Sequence, residues 1–153
     1  MIIWIDSDSC PVKIREIVIR AANRVGINAV FVANREIPGV ESNNSSLIVV
    51  EKGEGVADAY IVARASEGDL AITRDIPLAA DLVAKGVLVL DDRGSVMDSS
   101  NIRERLSMRN AMTELRSYGI VSETTKPMSQ RDIQQFAAAF DKQLRQWINN
   151  AGK

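Results

Sequence analysis

Short apolar runs alternate along the first ninety or so positions with stretches where apolar residues recur every three or four. Ile2-Ile3-Trp4-Ile5 runs straight into Asp6 and reads, over residues 2–6, as a strand. Residues 11–25 read as a helix, because Ile14, Ile17, Val18, Ala21 and Val25 share one face. Pro11 suits its first turn and Gly26 its stop. Residues 29–33 and 47–50 are strands, separated by the turn-rich stretch 35–46. A helix over 56–66, a strand over 70–73, a helix over 76–85 closed by Gly86 and a strand over 87–90 follow. The C-terminal third reads as helical, over about 99–117 and 129–149. In the last helix Ile133, Phe136, Ala137, Phe140, Leu144, Trp147 and Ile148 form one stripe, with Ser129 as its N-cap. This order predicts a three-layer α/β domain whose mostly parallel sheet, of about 4–5 strands, is covered on both faces.

Composition narrows the class. A chain of 153 residues with 46% hydrophobic and 25% charged content is globular, and with no repeat or linker residues 1–153 read as one domain. The first apolar run breaks at Asp6, too short for a signal-peptide core, and no run approaches the ~18 residues of a membrane helix. One cysteine permits no internal disulfide and fits a cytoplasmic protein. The chain has no histidine. The commonest neutral-pH acid/base and metal ligand is therefore excluded, and catalysis must run on carboxylates, hydroxyls, amines, one thiol or an oxygen-bound metal. The net charge of −1 is uneven, negative over residues 1–99 and positive over 100–153. That division suits metal ligands in one place and a polyanion contact in another.

The acidic residues fall where an open α/β sheet binds ligands, beyond the carboxyl ends of its strands. Asp6 and Asp8 follow the first strand and Asp75 follows Leu70–Thr73. Asp58 stands early in the helix Val56-Ala57-Asp58-Ala59-Tyr60. Asp69 begins its strand, at the opposite edge, and reads as a turn residue. Asp91-Asp92 run into Arg93-Gly94 and read as a turn as well. Clustered carboxylates repel unless a hard cation joins them. Mg2+ or Mn2+ prefers such oxygen ligands and activates water for attack on phosphates. Cys10 reads as a packing residue, although its place at a helix start could lower a thiol pKa.

Ile5-Asp6-Ser7-Asp8-Ser9-Cys10-Pro11-Val12-Lys13 resembles the first signature of the bacterial YaiI/YqxD family. The segment from Gly68 to Ala79, with Thr73-Arg74-Asp75 inside it, resembles the second. Asn101-Ile102-Arg103-Glu104-Arg105-Leu106, Arg109 and Leu115-Arg116 resemble the third. The resemblance implies a PIN-like or NYN-like domain, a small Rossmann-like fold of metal-dependent ribonucleases. It also implies that Asp6, Asp58 and Thr73-Arg74-Asp75 occupy the nuclease positions. The chain departs from the family at Gly55, where an Asp is usual, and at Ala59, often polar in relatives. Glu123-Thr124-Thr125-Lys126-Pro127 replaces a Thr-Gly-Gly-Pro segment.

The expectation is an Mg2+- or Mn2+-dependent phosphodiesterase acting on RNA. Asp6, Asp8 and Asp75 would hold metal, and Asp58 would be a further ligand or a water-orienting base. Thr73 would support the site through its hydroxyl. Asn34, Arg74, Arg93, Arg103 and Arg109 would meet phosphates. Arg105, Arg109 and Arg116 lie within about 40° of one another on a helix, beside Met108, Met112 and Leu115. Two rivals stay open. One is a haloacid-dehalogenase-like phosphatase, with Asp6 as nucleophile, Asp8 as acid, and Thr73, Lys85 and Asp91-Asp92 as later motifs. The other is a catalytically degenerate module that binds RNA or protein. The sequence also leaves a homo-oligomer open.

Overall fold

The structure is a computed structural model that describes residues 1–120 and 127–151. The Glu123–Lys126 stretch lies outside the described residues. The elements run β1 (Ile2–Asp6), α1 (Val12–Val25), β2 (Asn28–Ala33), β3 (Ser45–Val49), α2 (Val56–Arg64) and β4 (Leu70–Ile72). They continue through α3 (Ile76–Ala84), β5 (Leu88–Leu90), β6 (Val96–Met97), α4 (Ile102–Ser117) and α5 (Gln130–Ala151). A 3-10 turn, Ser7–Ser9, joins β1 to α1.

The α/β order expected from the sequence is present, but the sheet has six strands, in the order β3-β2-β1-β4-β5-β6. The first five are parallel and β6 runs antiparallel against β5. Two residues carry no periodicity, so β6 left no trace in the hydrophobic pattern. The turn read at Asp91–Gly94 is real and makes the hairpin. Asp91 Oδ1 accepts from Arg93 N and Ser95 N, both at 2.9 Å.

Alternation along the strands sorts side chains between two cores. Ile3 and Ile5 face Ile14 and Val18 of α1 and Phe136 and Phe140 of α5. Trp4, Ala71 and Val89 face Ile61 of α2 and Leu78 and Leu82 of α3. Asp6 and Thr73 continue the register of Trp4 and Ala71, which aims them toward α2. Ser129 caps α5 as read, its hydroxyl accepting from Asp132 N at 3.1 Å while Ser129 N donates to Asp132 Oδ2 at 3.0 Å. α4 packs on α3 but buries no residue, and Met108 is 61% exposed.

Asp69 is more than the turn residue its position suggested. It is buried and accepts from Ile2 N at 3.1 Å, Trp4 Nε1 at 3.0 Å and Ser66 N at 2.9 Å. It pins the start of β1 to the start of β4, and so sets the register that brings their far ends together. Asp69→Ala leaves these donors without their acceptor. It is expected to cost about 2–4 kcal/mol in urea unfolding, more than Asp8→Ala.

Candidate functional site

The carboxyl ends of β1 and β4 are adjacent, so the residues that follow them share one crevice. Asp6 and Thr73 are both buried there. Thr73 Oγ1 donates to Asp6 Oδ2 at 3.0 Å and accepts from Asp75 N at 3.0 Å. One hydroxyl therefore ties the first aspartate to the backbone of the last. Asp75 is the N-cap of α3, with Oδ1 accepting from Leu78 N at 3.0 Å and Pro77 in the first turn.

Asp58 completes the group from α2. Its carboxyl is half-buried and hydrogen-bonded to Asp75. Its pKa is pushed up to about 7, first by desolvation, then by the charges of Asp75 and Asp6, with Asp8 contributing least. Asp58, Asp75 and Asp6 thus form one interacting set. Asp8 is the partial exception. It is exposed, and both of its oxygens accept from Asn34 N, at 3.3 and 3.2 Å. The Asn34 contribution is thus a backbone N–H that anchors Asp8 over the β2 end.

A shallow cavity of about 440 Å³ opens beside Asp58, lined by Gly55, Ala59, Val62, Ala63 and Asp81. Gly55 and Ala59, the departures noted in the sequence, leave that space. Gly55 caps α2 with φ +77, and an added Cβ would meet nothing within 4 Å. A larger cavity of about 730 Å³ lies on the other side of the sheet, between α1 and α5, away from this chemistry. Among the described residues, no three acidic or thiol side chains are preassembled to hold a metal ion.

The cations divide. Arg74 and Arg93 flank the buried Asp92, while Arg103 and Arg109 are exposed on α4, where Arg109 bonds its neighbour Asn110. Arg105 of α4 does reach the sheet edge, 3.9 Å from Asp91. Asp92, buried between Arg74 and Arg93, stood only in the phosphatase alternative and not among the expected nuclease residues. Its signal was a second carboxylate after β5 at the correct edge, hidden by the turn reading of Asp91–Gly94. Cys10 packs as expected. Burial pushes its thiol up to about 12, so the helix start does not activate it.

The raised Asp58 pKa gives a signed prediction. A carboxyl titrating near 4 unfolded and near 7 folded makes the native state hold the extra proton between those values. Stability from this group therefore falls as pH rises from about 4 to 7. Asp58→Asn should raise the melting temperature of the protein without added divalent metal at about pH 8 and raise it clearly less at about pH 5. Thermal melts at the two pH values check this. An equal effect at both would show that Asp58 is not charge-strained.

The sequence comparisons converge. The family described as "Uncharacterized BCR, YaiI/YqxD family" matches residues 4–146. A UPF0178 protein of Myxococcus xanthus (strain DK1622) is 46% identical over 153 residues, covering 100% of both chains. One from Treponema pallidum (strain Nichols) is 46% identical over 143 residues, 94% of this chain and 81% of the relative. One from Psychromonas ingrahamii is 44% identical over 153 residues, 100% of this chain and 99% of the relative. No solved structure matches the chain. A profile match across nearly all of the chain, with full-length relatives at this identity, places the protein in the YaiI/YqxD family.

Proposed function

We propose that the protein is an Mg2+- or Mn2+-dependent phosphodiesterase that hydrolyses RNA, on a Rossmann-like domain of the PIN-like kind. The observation that carries the reading is the convergence of Asp6, Asp58 and Asp75 at the β1/β4 edge, coupled through Thr73. The order β3-β2-β1-β4-β5 supports the fold assignment, because it places this edge where the connections diverge in direction.

The residues fit a hard divalent cation in chemistry. All the donors are carboxylate oxygens, and burial together with the charges of Asp75 and Asp6 pushes the Asp58 carboxyl up to about 7. Asp6 and Asp75 would hold the ion, with Asp8 reaching in from the 3-10 turn. When bound, the ion would supply charge stabilisation on phosphate oxygens and acidify water. Thr73 keeps the Asp6 carboxylate oriented by its hydrogen bond. Asp58 of α2, beside Asp75, would take the proton of the attacking water. Arg74 and Arg93, on the loops after β4 and β5, would offer positive charge to the substrate backbone.

The phosphatase alternative loses weight at Lys85. Its ammonium donates to the carbonyl of Val62 on α2, rather than standing beside Asp6. A nuclease of this kind also forms no covalent enzyme species.

The test pairs Mn2+ titration calorimetry with cleavage of labelled single-stranded RNA. Wild type is expected to bind Mn2+ and to cleave only with Mg2+ or Mn2+. Asp6→Asn should abolish binding, and Asp58→Asn should cut cleavage roughly a hundredfold or more. Binding of RNA that survives Asp6→Asn, with no metal-dependent cleavage by wild type, would replace the enzyme with a binding module.

A further inference from the structure

Asp92 follows β5 at the same edge of the sheet as the acidic group and is 3% exposed. Two guanidinium groups meet it. Arg93 Nη1 stands 3.4 Å from Oδ1, and Arg74 Nε stands 3.7 Å from Oδ2. Oδ2 is buried and accepts no hydrogen bond. A buried carboxylate oxygen without a donor is costly, and a guanidinium just beyond bonding distance is its natural partner.

The two arginines are only partly covered, with side chains 43% and 37% exposed. Arg74 turns its Nε toward Asp92, so its terminal nitrogens remain for another anion. Arg93 also stands 3.8 Å from Asp132 through Nε. Asp132 is committed to the N-terminus of α5 through Ser129, whose hydrogen bonds hold its carboxyl below the usual range. Arg74 lies in sequence between Thr73 and Asp75, which fixes its backbone beside the proposed reaction centre.

We propose that Arg74, Asp92 and Arg93 form a phosphate-binding subsite beside the acidic group, with Asp92 as the positioning residue and the two guanidinium groups as the phosphate contacts. Its ligand class is a phosphodiester of single-stranded RNA, next to the one cleaved, and in this it rests on the reading under Proposed function. Arginine suits the role because it presents one edge to a carboxylate and a second to phosphate oxygens. Binding draws Arg74 onto Asp92 Oδ2, giving the orphaned oxygen its donor. The Asp92 charge then sets guanidinium geometry and adds no contact of its own to the substrate.

The test uses a fluorescein-labelled single-stranded RNA hexamer in fluorescence anisotropy without divalent metal, over a range of salt. The variants are Asp92→Asn, Arg74→Gln and Arg93→Gln. Each arginine change is expected to weaken binding roughly tenfold and to reduce the salt slope by about 0.7, the value for one single-strand phosphate contact. Asp92→Asn is expected to weaken binding by a similar factor while leaving Mn2+ affinity unchanged. In cleavage it should raise KM and leave kcat within about twofold, a split that general loss of structure would not give. If Asp92→Asn melts early, the two exposed arginines carry the test alone. Unchanged binding in both arginine variants, or no binding by wild type, overturns the subsite. Metal-dependent cleavage with unaltered KM in the variants would overturn it while leaving the nuclease intact. Variant-sensitive binding without cleavage by wild type would keep the subsite and remove the nuclease.

Discussion

Like charges crowd where β1 and β4 end, and the architecture around them is arranged to hold that crowding in place. Asp6 and Thr73 are buried, and burial together with the charges of Asp75 and Asp6 pushes the Asp58 carboxyl up to about 7. Unrelieved repulsion of this kind would push the groups apart. Here Asp6, Asp75 and Asp8 are each fixed by something other than a neighbouring carboxylate. Thr73 Oγ1 holds Asp6, Leu78 N holds Asp75, and Asn34 N holds Asp8. The opposite edge matters as much. Asp69 locks the starts of β1 and β4, so that the register at their far ends follows.

Strand-end placement made Asp6 and Asp75 legible in the sequence, because each closes or follows a short apolar run where a parallel strand must stop, while Thr73 was marked by the family resemblance. Asp58 was legible as an acidic residue on an otherwise small and apolar helix. What the one-dimensional pattern lacked was everything fixed by distant packing. Asp69 looks like any strand-starting aspartate until Trp4 is seen donating to it. Asp92 looks like part of a turn, and it is, but α5 seats against that turn from far along the chain. A Cβ on Gly94 would lie 2.7 Å from Ala139 of α5. Arg93 reaches Asp132 there. The arginine stripe on α4 was legible as a stripe but not in its contacts, since only docking on α3 shows that Arg105 meets the sheet edge. β6 was lost for a simpler reason, its length.

The carboxylates and the guanidinium groups occupy neighbouring parts of one edge, and on the function proposed above they divide the labour between metal and phosphate. The β1/β4 crevice collects negative charge, where a hard cation is at home. The β4/β5 crevice sets Arg74 and Arg93 around one buried anion, where a phosphate is at home. Arg74 and Asp75 are adjacent in sequence and belong to different halves, so the loop between β4 and α3 is the joint of the site. A change of backbone there would disturb both halves at once.

The most direct measurement is an anomalous diffraction map of crystals grown with Mn2+. The account predicts a peak contacted by Asp6 and Asp75, within reach of Asp58, and none at Asp92. Mn2+ bound elsewhere, or no peak at saturating concentration, would contradict the claim that the crowded carboxylates exist to hold a metal.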